Sequence, residues 1–230
     1  MKPKAVVLLS GGIDSVTTLY YANQSYDVFV LSFDYGQRHK YELELAKYHA
    51  KRVDAKEFFI VKIQNEIFKR SALTDKNIQV PENRTIDNEI PITYVPARNL
   101  LFLSFATAFA ESRDILDVFI GANALDYSGY PDCRPEFIQS FEHTANLGTK
   151  AGVRENKIKI HAPLIYKKKS EIIQLGLDLG IDFSYTSSCY QASEEGIPCL
   201  KCDSCQIRLK GFSELGLVDP LLKKFNLMVK

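Results

Sequence analysis

The sequence predicts an α/β fold built on a doubly wound parallel sheet. Three observations carry this. Short apolar runs alternate with helical segments from residue 4 to residue 61, in the order strand, helix, strand, helix, strand. The runs are apolar without in–out alternation, as strands covered on both faces are. The first of them feeds directly into a Gly-rich turn and then a helix, as Ser10-Gly11-Gly12-Ile13-Asp14-Ser15.

Taken in order, residues 4–9 (KAVVLL) form the first strand, and a helix runs on to about Asn23. Residues 27–33 give the second strand and 41–52 the second helix. Residues 56–61 give a third, weaker strand. In such a sheet ligands bind at the carboxyl ends of the strands. The loop Asp34-Tyr35-Gly36-Gln37-Arg38-His39 therefore lies beside the Gly-rich turn, where it can wall a nucleoside. Residues 71–91 are polar and irregular, with Pro81 and Pro91, and read as a surface loop, a lid or a subunit contact. Residues 100–111 are apolar nearly all round and predict a helix buried in the flank of the sheet. Arg98 stands at its start, unfavourably against the helix dipole, so it is either solvated or close to an anion. Residues 118–123 read as a strand ending in a Gly turn. The following loop carries Asp126, Tyr127, Ser128, Tyr130, Asp132, Cys133 and Arg134, and Pro135 opens another helix. Residues 158–162 form a short strand, and 169–179 an amphipathic helix ended by Gly180. The lysine run 167–169 at its start has the same two readings as Arg98.

The Gly-rich turn has the geometry of a phosphate cradle. Its glycines let the backbone approach a ligand with no Cβ in the way. The first-turn N–H groups and the positive end of the dipole face the anion, and Ser10 and Ser15 add hydroxyls. The plain alternative is a tight strand–helix turn with a Ser or Asp cap. No Gly-Lys-Ser follows, so this is not a Walker A loop, and a cation for the phosphates must come from elsewhere in the chain.

Composition narrows the partners. The chain has 230 residues, 46% of them hydrophobic and 25% charged, enough for one α/β domain or one with an appendage. A net charge of +1 gives no field favouring nucleic acid or anionic lipid. The apolar run near the start is too short for a signal-peptide core, and no stretch approaches membrane-spanning length, so the expected location is the cytoplasm. There, five cysteines argue against a disulfide framework.

Four of those cysteines cluster as Cys189-x9-Cys199-x2-Cys202-x2-Cys205. Two steps of three turn successive thiolates toward one point, and a loop brings back the fourth. Four thiolates suit tetrahedral zinc at Zn–S of about 2.3 Å, in a closed and therefore structural shell. An iron–sulfur cluster is the metal alternative, and independent thiols the plain one. A clip here would hold residues 184–230 as a small module against a nucleotide-binding domain of residues 1–183, because so short a segment makes a thin core alone. Cys133 is left over, as a buried thiol or a substrate-side group.

The hexapeptide resembles the pyrophosphate loop of the ATP pyrophosphatase (PP-loop) superfamily. With DYGQRH, VPARN, GAN, YPDCRPEF, PLIYKKKSEI and SCY…CLKCDSC, in order from residue 5 to about 213, the chain resembles the 7-cyano-7-deazaguanine synthase family of queuosine precursor synthesis. Two departures are small: VPARN where VPGRN is commoner, and CLKC where a Gly often follows the first Cys. The resemblance implies a PP-loop type of sheet with a small four-Cys zinc module. It implies an ATP-dependent conversion of 7-carboxy-7-deazaguanine and ammonia to the nitrile, with ATP, Mg²⁺ and one Zn²⁺. Asp14, Arg98 and Lys169 would then be catalytic, the two cations neutralising the leaving pyrophosphate. Leu9, Ser10, Gly11, Gly12, Ile13, Asp14, Ser15, Phe33, Arg98, Asn99, Gly121 and Lys169 would contact the nucleotide, with Asp14 also a Mg²⁺ ligand and Asp34 behind Phe33. Asn99 and Asn123 would orient ligand or loops. Tyr130 would stack on the deazapurine, Asp132 accept from its 2-amino and N1–H edge, and Arg134 meet its carboxylate. His39 is a candidate for proton handling or a structural hydrogen bond. A homodimer is implied, and no nucleic acid or membrane partner. The alternatives are another PP-loop enzyme, such as a tRNA-modifying ligase or thiolase, and a non-enzymatic zinc module binding nucleic acid. The former usually carries an RNA-binding domain. The latter calls for a basic face, where residues 187–206 hold Glu194, Glu195 and Asp203 against Lys201 alone.

Overall fold

A computed structural model describes residues 2–84, 89–125, 129–154 and 156–227. Five parallel strands make one sheet: β1 (Lys4–Leu8), β2 (Asp27–Asp34), β3 (Glu57–Lys62), β4 (Asp117–Phe119) and β5 (Lys159–His161), in the spatial order β3-β2-β1-β4-β5. The helices are α1 (Ile13–Asn23), α2 (Tyr41–Arg52), α3 (Arg98–Glu111), α4 (Pro135–Gly148), α5 (Lys150–Val153), α6 (Lys169–Asp178), α7 (Asp203–Glu214) and α8 (Pro220–Lys224). The chain leaves central β1 outward to β2 and β3, then returns to start β4 on its other side. That reversal opens a crevice at the carboxyl ends of β1 and β4.

Two apolar layers explain the strands. On one face Val16, Ala46, Ile172 and Phe212, from α1, α2, α6 and α7, share a core with Val7 and Val30. On the other, Leu103, Ala106 and Ile138, from α3 and α4, pack with Val6, Leu31 and Val118. Neighbouring residues of β1 thus face opposite layers, which is why the strand is apolar throughout. Burying each Val, Leu, Ile or Phe among them contributes roughly 1.5–3 kcal/mol. Among the described residues no helix is long and apolar enough to cross a membrane.

Three expectations change. The strand expected over 118–123 is shorter. Ile120 N–H still donates to His161 O at 2.9 Å, but Gly121 then lies against the backbone of Asp14 and Ser15, and the chain turns into the crevice. The helix expected at 100–111 begins at Arg98 and is not buried all round. Leu103, Ala106, Thr107 and Ala110 are buried, whereas Leu100 and Phe105 are 44% and 41% exposed, because α3 has the sheet on one side only. The described part of 71–91 is a strap packed over the cysteine cluster rather than a loose surface loop. Ala72 and Val80 pack with Cys189, Cys202 and Cys205, Asn83 N–H donates to Lys201 O at 2.8 Å, and Arg84 pairs with Asp203 at 2.7 Å. Residues 85–88 of that segment, and Asp126, Tyr127 and Ser128 of the functional loop, lie outside the described residues.

Candidate active site

The crevice holds a cleft of about 240 Å³ at the end of β1. Its floor is Leu9, Ser10, Gly12, Ile13, Asp14 and Ser15. Gly11 makes the turn. Its φ of +82° suits glycine, and a Cβ there would stand 2.4 Å from Glu42 O, so α2 backs the loop directly. The turn is internally tied: Ser10 Oγ and Ser15 Oγ are 3.0 Å apart, and Ser10 N–H donates to Ser15 Oγ at 3.1 Å. Gly12 is the N-cap of α1 with no side-chain cap among the described residues, so the first-turn amides of α1 are free to meet a ligand.

A cradle for a ligand should fail when a side chain fills it. At Gly12 the backbone is extended, and a Cβ would sit 3.5 Å from Ser187 O and 3.6 Å from Ser10 Oγ, ordinary contacts facing the cleft. Gly12→Ala is therefore expected to fold normally. Its turnover should fall at least about 100-fold, the scale of losing a backbone donor to developing charge. Thermal melts beside turnover check this; a normal melt with normal turnover would remove the turn from the site.

The side walls come from three directions. Phe33 at the end of β2 stacks on Phe102 of α3, with centroids 3.8 Å apart and planes 5° from parallel, and both line the cleft. Asp34 pairs with exposed Lys40 at 2.9 Å. Arg98 enters from the first turn of α3, its Nη1 donating to Tyr35 OH at 3.2 Å. Burial works against its charge, but Tyr35, Tyr130 and Asp132 more than offset that, so the guanidinium stays protonated. Asn99 and Gly121 also line the cleft.

Lys169 is the one buried member of its lysine run. Its ammonium lies 2.5 Å from Asp14 Oδ1, so the anion that its position at a helix start called for is a carboxylate of this chain. Asp14 is on the cleft wall; Lys169 reaches the cleft through it. Two features hold Lys169 there. Its stem packs on Gly211 of α7, where a Cβ would come within 2.7 Å of Lys169 Cγ. Buried Asn123 donates from Nδ2 to Leu164 O at 3.0 Å and to Lys167 O at 2.5 Å, tying the end of β4 to the segment leading into α6.

The substrate-side trio separates. Tyr130 is on the cleft wall, but its hydroxyl is shared with Thr93 Oγ1 at 3.0 Å and Tyr190 OH at 3.4 Å. Asp132 is buried and turned away: its Oδ2 accepts from Asn99 N–H at 2.9 Å, a tertiary cap on α3. Arg134 is exposed at the N-cap of α4, outside the cleft wall. Of the three residues expected to meet the substrate, only Tyr130 is on the cleft wall as described. A carboxylate was more valuable on the free amides of α3, and Pro135 in the first turn of α4 leaves Arg134 outside the helix. Cys133 lines the cleft and accepts from Asn99 Nδ2 at 3.2 Å. Burial first, and the Asp132 carboxylate next, push its thiol up to about 12, so it stays protonated. His39 is buried and hydrogen-bonded to Ser187 Oγ at 3.2 Å, its pKa lowered by burial. His39 and Ser187 both line the cleft.

Several cleft residues escaped sequence reasoning. Ser187, Ser188 and Tyr190 come from the segment just before and after Cys189, and Glu42 from the start of α2. Proximity in sequence to Cys189 was the available signal for the first group.

The four cysteines converge. Their sulfurs all lie within 4.8 Å of one another, with Cys199 and Cys205 4.0 Å apart, near the spacing of about 3.8 Å that a tetrahedral Zn–S shell requires. Backbone N–H groups of Gln191 and Cys199 donate to Cys189 Sγ at 3.4 and 3.2 Å, and those of Lys201 and Cys202 to Cys199 Sγ at 3.4 Å. Donors aimed at sulfur fit thiolates that hold a cation. Ala97 and Leu200, where this chain lacks the commoner glycine, both have left-handed backbone, φ 54° and 63°.

Known proteins supply the family. A family model described as "Queuosine biosynthesis protein QueC" matches residues 4–216. A 7-cyano-7-deazaguanine synthase of Citrifermentans bemidjiense is 54% identical over 222 residues, 96% of this chain and 98% of that protein. One from Legionella pneumophila is 53% identical over 218 residues, 94% and 95% of the two chains. Among solved structures, the NMN synthetase of Francisella tularensis shares the fold, with a TM-score of 0.51 at 18% identity, over 98% of this chain and 78% of that one. On matches of this length and identity, the chain belongs to the QueC family of queuosine biosynthesis proteins.

Proposed function

We propose that this protein is an ATP-dependent ligase that converts 7-carboxy-7-deazaguanine and ammonia to 7-cyano-7-deazaguanine. The observation that carries this beyond family membership is one cleft joining an uncapped Gly-rich helix start, a buried Lys169–Asp14 pair and Arg98. In this proposal residues 10–15 seat the phosphates, and Phe33 with Phe102 borders the adenine. The substrate carboxylate attacks the α-phosphorus, and pyrophosphate leaves toward Arg98 and Lys169. Ammonia displaces AMP to give the amide. A second ATP adenylates the amide oxygen, whose loss gives the nitrile. The site supplies positioning and charge neutralisation. Mg²⁺ would be held at Asp14 and the phosphates. Substrate-dependent formation of AMP rather than ADP tests the cleavage position, and ADP would exclude this chemistry.

Cys189, Cys199, Cys202 and Cys205 would hold one structural Zn²⁺, joining residues 184–230 to the nucleotide-binding part of the chain. That module also presents Ser187, Ser188 and Tyr190 to the cleft. Removing zinc with a chelator, or Cys202→Ser, is therefore expected to lower Tm and turnover together, with zinc near one per chain before treatment. Retained turnover in zinc-free protein would separate the cluster from the site. A second copy would cover exposed Phe105 of α3 and Phe59 of edge strand β3, which is 48% exposed and meets Phe109 of α3. Sedimentation of Phe105→Glu against the parent checks that seat.

A further inference from the structure

Among the described residues two carboxylates line the cleft, Asp14 and Glu42. Asp14 is neutralised by Lys169. Glu42, in the first turn of α2, is held differently. Its Oε1 accepts from Gln37 Nε2 at 3.0 Å. Gln37 is buried, and its amide has one orientation: Oε1 takes Tyr35 N–H at 2.9 Å, so its NH₂ must point to Phe33 O, at 3.0 Å, and to Glu42. The second oxygen of Glu42 has no hydrogen-bond partner among the described residues, and no cation lies at ion-pair distance. The titratable groups facing it are Arg98 from α3 and the Tyr35 hydroxyl beyond β2.

The amide-forming step has a requirement that the phosphate machinery does not meet. Ammonium predominates at neutral pH and has no lone pair. A fixed carboxylate with a free oxygen on the cleft wall attracts that cation and can take its proton.

We propose that Glu42 binds ammonium in the cleft and is the general base that deprotonates it for attack on the adenylated carboxylate. This rests on the ligase function proposed above. One proton passes from ammonium to Glu42, and the nitrogen lone pair forms the C–N bond to the carbonyl carbon. The C–O bond to phosphate breaks, and AMP leaves with the electron pair; the second proton lost from nitrogen departs with it. Burial raises the Glu42 pKa to about 7, against the lowering effects of Gln37 and Arg98, which makes it a stronger base than a solvated carboxylate yet still ionised near neutrality.

The test separates the half-reactions in Glu42→Gln. Pyrophosphate–ATP exchange with 7-carboxy-7-deazaguanine, without ammonia, should be retained. Amide and nitrile formation from ammonium at pH 7 should fall at least about 100-fold. Hydroxylamine, uncharged at that pH, needs no base, so hydroxamate formation should match the parent. With ammonium, the parent rate should level off above about pH 7 as Glu42 ionises, while the variant rate should keep rising with the free ammonia. Gln37→Leu keeps the carboxylate and loses its donor, and should move the parent's limb to higher pH, so it decides the matter if Glu42→Gln fails to fold. Normal ammonium use by Glu42→Gln, or an unmoved limb in Gln37→Leu, would overturn the role of Glu42. So would joint loss of exchange and hydroxamate in folded Glu42→Gln. Absence of exchange in the parent would instead overturn the ligase function.

Discussion

Lys169→Met is expected to cut nitrile formation by on the order of 100- to 1000-fold while the protein stays folded. Methionine keeps much of the apolar stem that packs on Gly211 and removes only the ammonium. Asp14 is left without its partner but keeps contact with the open cleft, its side chain 17% exposed, so it can be solvated. The turn of residues 10–15 supplies amides and hydroxyls but no full positive charge, and the ammonium of Lys169 pairs with Asp14 of that turn. Turnover and a thermal melt on the same preparation check this. Turnover within tenfold of the parent would show that Arg98 and Mg²⁺ suffice for the leaving pyrophosphate.

Arg208→Ala should have the largest effect on stability. Arg208 and Asp219 are buried, and the guanidinium meets both carboxylate oxygens at 2.6 and 2.8 Å. It also donates to Phe183 O at 2.9 Å and to Thr186 Oγ1 at 2.8 Å. These bonds tie α7 and the start of α8 to the 183–186 turn just ahead of the cysteine module. Truncating Arg208 leaves a buried carboxylate and several acceptors unpaired, a loss of about 3–5 kcal/mol. For a chain of this size that lowers Tm by roughly 10 °C. Screening by surrounding water explains why Lys40–Asp34, with Lys40 62% exposed, should matter far less. Calorimetry on Arg208→Ala and Lys40→Ala gives the comparison, and equal small shifts would mean the buried pair contributes little beyond desolvation.

The parts legible in sequence are those whose signal is local. An apolar run followed by two glycines specifies a strand, a turn and a helix start within about a dozen residues, and β1, Gly11 and α1 follow it. The cysteine spacing is nearly as local, and the four sulfurs converge. Arg98 and Lys169 were visible as cations at unfavourable helix positions. What satisfies them was not, because Asp14 and Tyr35 are distant in sequence. The same limit explains Asp132 and Arg134. The loop chemistry named them as a pair, yet only packing decides that one caps α3 and the other faces solvent. The strap of residues 71–84 has no period to read. Local turns and tertiary bonds order it, among them those of Arg38, which donates to Asp75 O at 2.6 Å and to Ile78 O. The left-handed Ala97 and Leu200 show the converse: a family glycine pattern marked those backbones although this chain carries other residues there.

The most direct test of the central claim is mass spectrometry of a reaction containing purified zinc-loaded protein, Mg-ATP, 7-carboxy-7-deazaguanine and ¹⁵N-ammonium. The predicted result is 7-cyano-7-deazaguanine carrying one ¹⁵N in its nitrile, with two AMP and two pyrophosphate for each nitrile. ATP consumed to AMP with no labelled amide or nitrile, or no substrate-dependent AMP at all, would contradict it.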